Sequence, residues 1–238
     1  MAGVKTGISG QVNNNIVTDG LVFYVDAAYN SSYPGTGTTW TDLEGSNNVT
    51  LLNGPTFSTD NNGCIVFDGD DDNSQFGGNP GVSQNLFNET ANSVCAWVYI
   101  TTLSQDATVV GLWNTQYILY MDYEGAGAGY RVLYKTGGGS KGTSINNVNA
   151  IQNQWQYVVS TFSGTAISLY VDGALIETVT FSSTTMTTST NNIAIGADQP
   201  NGQRDWPGRI SNVSMYNKAL SASDVLQNYQ AQKERFGL

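Results

Sequence analysis

Hydrophobic and polar positions alternate with a period of two residues in short stretches of the chain. Ile167, Leu169 and Val171 are apolar, and the residues between them are polar or amphipathic. This period predicts a half-buried β-strand, because successive side chains of a strand point to opposite faces. Asp172 and Gly173 separate this run from a second apolar run. The Asp-Gly pair therefore predicts a β-hairpin with a type I′ turn.

Similar apolar runs recur along the chain and are separated by clusters of turn-forming residues. Four such clusters are Tyr33-Pro34-Gly35, Asn53-Gly54-Pro55, Gly77-Gly78-Asn79-Pro80 and Gly137-Gly138-Gly139. Many short strands separated by such turns predict an all-β fold, an antiparallel β-sandwich of the jelly-roll type. The chain has 238 residues and no shift in composition typical of a linker, so we expect a single domain.

One short α-helix is predicted near the end of the chain. Ser221 and Asp224 have the spacing of a capping box, in which the two side chains bind free N–H groups at the helix start. Apolar residues at helical spacing follow them, and Gly237 suits the C-terminal cap. We expect this helix to cover an edge or the rim of a sheet.

The first 19 residues are polar and show no period. We interpret residues 1–19 as an extended N-terminal arm and residues 20–238 as the sandwich domain; a frayed terminus is the alternative for the arm. The segment has no apolar core of about 7–15 residues, so it does not have the form of a secretory signal. No run approaches the roughly 20 apolar residues of a membrane-spanning helix.

Several strand motifs follow one another in a consistent order. They are GLVFYVD at 20–26, the Trp-x-Asp loop at 40–42, CIVFDGDDD at 64–72, VCAWV at 94–98, the hairpin at 154–179 and GRISNVSMYNKAL at 208–220. This set resembles LamG-type domains of the concanavalin A-like lectin/glucanase superfamily. The resemblance implies a concanavalin A-like jelly roll, in a family that binds glycans more often than it catalyses. Ser211 departs from the aspartate usual in relatives; if that aspartate supports a structural calcium there, this chain lacks the site or builds it differently.

Two longer pieces, residues 16–40 and 219–238, look like LamG-type domains in virion proteins of bacteriophages, especially marine and cyanobacterial ones. Those proteins are tail-fibre, spike or capsid-surface components. The resemblance implies a non-enzymatic virion protein, made in the host cytoplasm and displayed on the capsid or tail. Its expected partners are other virion proteins, further copies of the chain in an oligomer or lattice, and polysaccharide. A stand-alone carbohydrate-binding, lectin-like module is the alternative.

The charge of the chain restricts its partners. The formal net charge is −10 at pH 7, and the isoelectric point is near 4.1. Binding to a phosphate backbone needs clustered lysine and arginine, and docking on an anionic membrane surface needs the same. We therefore expect neither nucleic acid nor a membrane surface as a partner.

The residues for catalysis are missing from the sequence. The chain has no histidine, which excludes Ser-His-Asp and Cys-His arrangements and the usual histidine zinc sites. Glucanases of this fold carry paired carboxylates on one strand. None of the five glutamates has a second glutamate nearby; they are Glu44, Glu89, Glu124, Glu177 and Glu234. The stretch at 121–125 offers one close acidic pair, Asp122 and Glu124. We therefore expect no enzymatic activity and no catalytic residue, with a glucanase as the remaining alternative.

The densest acidic stretch suggests a metal site. Asp70, Asp71 and Asp72 follow the Phe-Asp-Gly strand, and calcium binds six to eight oxygen ligands. The alternative is a solvated β-turn. Cys64 and Cys95 both lie in predicted strands, and we expect free, buried thiols rather than a disulfide.

The aromatic residues divide between packing and binding. Trp40, Trp97, Trp155 and Tyr157 lie in the family motifs and are expected in the core. For a glycan, the candidate contacts are Tyr120 and Trp206 for stacking, with Arg204 and Asp205 for hydrogen bonds to hydroxyls. Packing in the core is the alternative role of Trp206, because large aromatic side chains are more often buried than displayed.

Overall fold

The computed structural model describes residues 15–76, 86, 89–112, 117–123, 127–143, 149–182, 184–187, 192–199 and 203–238. In chain order the first eight strands are β1 (Leu21–Asp26), β2 (Thr39–Trp40), β3 (Val49–Leu52), β4 (Thr56–Ser58), β5 (Cys64–Asp68), β6 (Asn73–Phe76), β7 (Asn92–Ile100) and β8 (Ala107–Leu112). The next eight are β9 (Tyr117–Tyr123), β10 (Ala128–Thr136), β11 (Gly139–Gly142), β12 (Trp155–Phe162), β13 (Ala166–Val171), β14 (Ala174–Thr180), β15 (Ala194–Ile195) and β16 (Pro207–Tyr216). Helix α1 spans Ala222–Gln232, and 3-10 turns cover Asp60–Asn62 and Lys233–Phe236.

The strands form two layers of antiparallel sheet. The first layer is an eight-stranded sheet in the order β14-β13-β12-β7-β16-β5-β4, in which β1 also pairs with β16. The second layer consists of a five-stranded sheet, β11-β10-β9-β8-β15, and a three-stranded sheet, β2-β3-β6. Ser74 joins these two smaller sheets, because its hydroxyl donates to the carbonyl of Ile195 and accepts from the N–H of Ile195.

Strand β16 holds the first layer together. Its first part, Pro207–Ile210, pairs with β5, and its second part pairs with β1. The register against β7 shifts between Ile210 and Asn212. Ser211 lies at this shift, and its hydroxyl donates to the carbonyl of Gly63 and accepts from Arg235. Ser211 therefore faces the guanidinium group of Arg235.

Two hydrophobic clusters stabilise the layers. The larger one collects inward-facing side chains of both layers, including Trp40 and Trp206. The smaller one lies on the outer face of the eight-stranded sheet, where Trp97 stacks on Phe236 with ring centroids 4.0 Å apart. Trp155 and Tyr157 belong to this second cluster, beneath the C-terminal helix. The helix packs over the face of this sheet and also contacts its edge strand β14, so the expected contact with a sheet edge is present together with contact to the face.

The main sequence predictions of local structure are confirmed. Asp172 and Gly173 have φ values of 51° and 79°, as a type I′ turn requires. Ser221 accepts from the N–H of Asp224, whose side chain accepts from the N–H of Ser221, so the capping box is complete. The all-β antiparallel sandwich with a short C-terminal α-helix is confirmed, and Cys64 and Cys95 are free and buried.

The N-terminal segment is described from Asn15 onward. Val17 is buried; its N–H donates to Asn228 on α1, and its carbonyl accepts from the hydroxyl of Tyr216. Residues 1–14 and the Gly77–Pro80 turn cluster lie outside the described residues, and the division into arm and domain stays a prediction. Among the helical residues that the structure describes, none form a helix with the length and apolar character needed to span a bilayer.

Candidate functional site

The outer face of the five-stranded sheet carries a group of charged side chains. On β9 the side chains of Tyr117, Leu119 and Met121 enter the hydrophobic core, so the alternate residues Tyr120 and Asp122 face outward. Arg131 on β10 pairs directly with Tyr120 and shares its face. Strand alternation and register together bring an acid, a phenol and a guanidinium onto one surface.

Hydrogen bonds fix these three side chains. Nη1 of Arg131 donates to the Tyr120 hydroxyl at 3.1 Å and to Oδ2 of Asp122 at 3.0 Å. Nε of Arg131 donates to the carbonyl of Thr143 at 3.1 Å. The remaining nitrogen, Nη2, makes no hydrogen bond within the described part of the chain. The side chain of Arg131 is 27% exposed, so it can donate to a ligand.

A second arginine lies beside this group. Nε of Arg204 is 3.2 Å from Asp106 Oδ2, and Nη1 is 3.6 Å from Asp198 Oδ2. Its guanidinium lies over the Tyr120 ring, 5.9 Å from the centroid. We call these six residues the outer-face cluster: Asp106, Tyr120, Asp122, Arg131, Asp198 and Arg204.

Glycine allows the loop that carries Arg204 to lie on the sheet. A Cβ atom added to Gly111 on β8 would lie 2.4 Å from the carbonyl oxygen of Asp198, so no larger residue fits there. The loop is also held by Thr108, whose N–H donates to the carbonyl of Arg204 at 2.7 Å. Arg204 itself has a φ of 59°, in the left-handed region that few residues other than glycine adopt. The position of its side chain is therefore determined by the loop.

Burial controls ionisation in the outer-face cluster. It raises the pKa of Tyr120 to about 12, so this side chain remains a neutral hydroxyl at physiological pH. Burial also raises the pKa of Asp198, although the hydrogen bond from the backbone of Gln203 and the charge of Arg204 act to lower it. With two guanidinium groups and three carboxyl groups, the cluster has no excess of positive charge.

The four predicted glycan contacts separate into two places. Tyr120 and Arg204 come together in the outer-face cluster, but Tyr120 is only 5% exposed and lies beneath Arg204. Trp206 is fully buried in the larger hydrophobic cluster, so it packs and offers no stacking face. Asp205 is 7% exposed and lies next to the turn after β5. Neither predicted aromatic platform is displayed to solvent.

Sequence reasoning missed four members of the cluster: Asp106, Asp122, Arg131 and Asp198. A signal was present in β9, where Asp122 interrupts an otherwise apolar and aromatic strand, and in β10, where Arg131 lies at an outward position. Asp106 and Asp198 lie in loops, and no local pattern pairs them with Arg204.

The predicted acidic stretch forms a tight turn, which we call the acidic turn (68–72). Carboxylate oxygens of Asp68, Asp71 and Asp72 all lie within 4.8 Å of one another. The sequence prediction named Asp70, Asp71 and Asp72. In the structure Asp68, and not Asp70, lies in this group with Asp71 and Asp72. Hydrogen bonds from the backbone, that of Asp70 foremost, lower the pKa of Asp68, whereas burial and then the charge of Asp68 raise the pKa of Asp72.

A comparison with protein families decides the relationship. The model of the laminin G type, described as the concanavalin A-like lectin/glucanases superfamily, matches residues 68–226. The chain belongs to this superfamily. The concanavalin A-like fold that the sequence motifs predicted is thereby confirmed. A search of the curated proteins finds no match.

Solved structures share the fold of this superfamily domain at low sequence identity. Domain 4 of AbnA, a GH43 extracellular arabinanase from Geobacillus stearothermophilus solved with arabinotriose, is 15% identical with a TM-score of 0.66, covering 88% of this chain and 98% of that one. The receptor-binding domain of botulinum neurotoxin C/D mosaic serotype is 16% identical with a TM-score of 0.69, covering 91% of this chain and 52% of that one. Trypanosoma rangeli sialidase with sialic acid is 17% identical with a TM-score of 0.63, covering 92% of this chain and 34% of that one. The domain thus spans about half of the toxin domain and a third of the sialidase.

Proposed function

We propose that this chain is a non-enzymatic carbohydrate-binding domain that holds a saccharide on the outer face of its five-stranded sheet. The observation that carries the proposal is the pairing of Arg131 with Asp122 at 3.0 Å beside the pairing of Arg204 with Asp106 at 3.2 Å. Each pair presents a charged donor next to a charged acceptor. A domain of the same fold, the arabinanase domain 4, was solved with an arabinotriose molecule.

The chemistry of sugars suits such pairs. Neighbouring hydroxyls of a pyranose or furanose both donate and accept, and charged partners strengthen these hydrogen bonds. Nη2 of Arg131 has no partner within the described residues, so a ligand hydroxyl can accept from it. Two arginines against three aspartates give no net attraction for an anion, which favours neutral saccharides over acidic ones. The side chains are already fixed by one another, which lowers the entropy lost on binding.

The affinity of a single site is expected to be low. Tyr120 and Trp206 are buried, so neither of these two rings is displayed for stacking. A shallow sheet face covers little of a hydrated sugar, and we expect dissociation constants on the order of millimolar to high micromolar. Useful binding would then come from several copies acting together.

Catalysis is not part of the proposal. Retaining glycosidases place two carboxyl groups about 5–5.5 Å apart, one with a raised pKa, on either side of the scissile bond. In the outer-face cluster the carboxylate of Asp122 is neutralised by Arg131, and that of Asp106 by Arg204. These two carboxylates are therefore occupied by ion pairs and do not form a pair of free carboxyl groups on either side of a bound sugar.

The proposal is tested by screening the purified chain on an array of neutral and acidic oligosaccharides and then measuring affinity for the best ligand. Arg131→Met and Arg204→Met should each weaken binding at least tenfold. Arg209→Met is the matched control, because Arg209 also pairs with an aspartate, Asp60, and lies over a tyrosine ring, that of Tyr99, elsewhere on the molecule. Equal losses in all three variants, or no binding of any saccharide at 10 mM, would refute the proposal.

The second candidate is a phage virion surface protein, of which the carbohydrate-binding domain would be the displayed part. It is supported by the likeness of residues 16–40 and 219–238 to virion LamG-type domains. In the structure these two pieces are joined: Val17 binds Asn228, and Asp26 binds Arg235. Mass spectrometry of purified virions from an infected host would detect the chain if this proposal holds. Its presence only in the soluble lysate would contradict the virion role and leave saccharide binding open.

A further inference from the structure

The acidic turn has the dimensions of a cation site. Oxygens of Asp68, Asp71 and Asp72 lie within 4.8 Å of one another. Calcium–oxygen distances are about 2.3–2.6 Å, so two oxygens bound to the same calcium ion lie at most about 5 Å apart. The spacing of these oxygens is therefore compatible with one ion that contacts all three carboxylates.

Most carboxylate oxygens of Asp68, Asp71 and Asp72 accept no hydrogen bond from the part of the chain that the structure describes. Oδ1 of Asp68 accepts from the N–H groups of Asp70, Asp71 and Asp72, and Oδ2 of Asp72 accepts from the N–H of Asp68. Within the described residues, the other four oxygens of the three carboxylates accept no hydrogen bond. The turn is thus held by its backbone, and the free oxygens remain for a ligand.

A separate observation points to the same place. Asp205 is 7% exposed, and its Oδ1 atom is buried without a hydrogen-bond partner. Asp205 lies two residues before Pro207, which pairs with Asp68 across the sheet. The ring of Pro207 lies against Gly69, where an added Cβ would be 2.7 Å from the proline Cβ. This places the backbone of Asp205 close to the acidic turn, and the charges of Asp198, Asp68 and Asp71 act on its carboxylate.

No cationic side chain of the described residues pairs with this group. The six ion pairs among the described residues involve none of Asp68, Asp71, Asp72 or Asp205. A buried carboxylate without a partner destabilises the folded state, and three neighbouring carboxylates add repulsion. A bound cation would remove both effects.

We propose that the acidic turn and Asp205 together bind one calcium ion. Carboxylate oxygens suit hard cations, and this set contains no sulfur or nitrogen ligand that would favour zinc or copper. Asp68, Asp71 and Asp72 are the direct ligands, and water completes the coordination, with Asp205 as the buried counter-charge behind it. Because Asp205 directly follows Arg204, the ion ties the turn after β5 to the loop that carries Arg204.

The test is calorimetric titration of the full chain with CaCl2 after removal of metals with a chelator. We expect one ion per chain and at least tenfold weaker binding in Asp71→Asn and in Asp205→Asn. Asp70→Asn is the matched control: it removes the same charge from the next residue but lies outside the group, and binding should stay within about twofold.

Thermal unfolding gives a second readout that does not depend on the heat of binding. Calcium should raise the unfolding temperature of the parent chain and of Asp70→Asn, and it should leave that of Asp71→Asn unchanged. The proposal would be overturned if 10 mM calcium produced no heat of binding and no shift of the unfolding temperature. Equal weakening by Asp70→Asn and Asp71→Asn would also overturn it, since it would show diffuse attraction to the negative surface.

Discussion

Arg235 and Asp26 form a buried ion pair between the end of the chain and its first strand. Nη1 of Arg235 donates to both carboxylate oxygens of Asp26, at 2.9 and 2.8 Å. The two side chains are 6% and 0% exposed. Arg235 also donates to the carbonyls of Asn61 and Gly63 and to the hydroxyl of Ser211. The guanidinium group thereby joins segments that are distant in sequence, with its hydrogen bonds satisfied inside the protein.

Replacing Arg235 should destabilise the fold strongly. Arg235→Met leaves the Asp26 carboxylate buried without its cation, and breaking a buried pair in this way costs about 3–5 kcal/mol of unfolding free energy. Arg209→Met removes an exposed pair with Asp60 and should cost about 1 kcal/mol or less. Urea denaturation of both variants measures the difference. Similar losses of unfolding free energy in the two variants would show that the buried ion pair contributes no more to stability than the exposed one.

The aromatic contact between Trp97 and Phe236 should anchor the C-terminal segment. Phe236 is 6% exposed and stacks on Trp97 at 4.0 Å, so Phe236→Ala should lower the free energy of unfolding by about 3–5 kcal/mol. Leu238→Ala is the control, because Leu238 is 38% exposed and an exposed site should change stability by about 0.5 kcal/mol or less. Tryptophan fluorescence during urea unfolding reports both values. A loss below about 1 kcal/mol for Phe236→Ala would contradict the packing described.

The capping box makes a smaller, measurable contribution. The Ser221 hydroxyl accepts from the N–H of Asp224 at 3.2 Å, and loss of an N-cap side chain costs about 1 kcal/mol. Ser221→Ala should therefore lower the free energy of unfolding by about that amount. Ser223→Ala, in the same exposed first turn, should have a smaller effect. Equal effects of the two substitutions would argue against a specific cap.

Asp205 should make stability depend on pH in the absence of calcium. Burial, assisted by the charges of Asp198, Asp68 and Asp71, raises the pKa of Asp205 from 3.8 to about 6. Between these values the folded state binds more protons than the unfolded state, so the free energy of unfolding falls as pH rises. With a chelator present, the free energy of unfolding of Asp205→Asn should be higher than that of the parent chain by roughly 2–3 kcal/mol at pH 7.5. The two values should be equal near pH 4.

Urea denaturation at pH 4, 5, 6 and 7.5 follows this difference. Asp70→Asn serves as the control, because Asp70 is exposed and its replacement should give a small difference at every pH. A constant gap between Asp205→Asn and the parent chain across this range would mean that the effect is not ionisation of Asp205.

Local features of the fold could be predicted from the sequence, and features made by distant strands could not. The turn at Asp172-Gly173 and the cap at Ser221 depend on neighbouring residues, so their patterns were sufficient. Trp97 lies on a strand that is buried on both faces, and such a strand carries no alternation to show that Trp97 faces the helix. Its motif predicted burial but not the partner.

The candidate sites show the same limit. Arg131 meets Tyr120 only because β9 and β10 pair in one register, and a shift by one residue would separate them. Asp205 approaches Asp68 through the pairing of β16 with β5, far along the chain. Trp206 was chosen for its position in a predicted loop, yet its side chain enters the core, because a loop residue next to a strand can still point inward.

Saccharide binding on the outer face can be located by a nuclear magnetic resonance titration of the isotope-labelled chain with a neutral oligosaccharide selected on the array. We expect saturable shifts of the backbone signals of Tyr120, Asp122, Arg131 and Arg204, with little change along β12, β13 and β14. The same titration of Arg131→Met should show at least tenfold weaker binding. Saturable shifts confined to other strands, or no shifts at 10 mM saccharide, would contradict binding on the outer face of the five-stranded sheet.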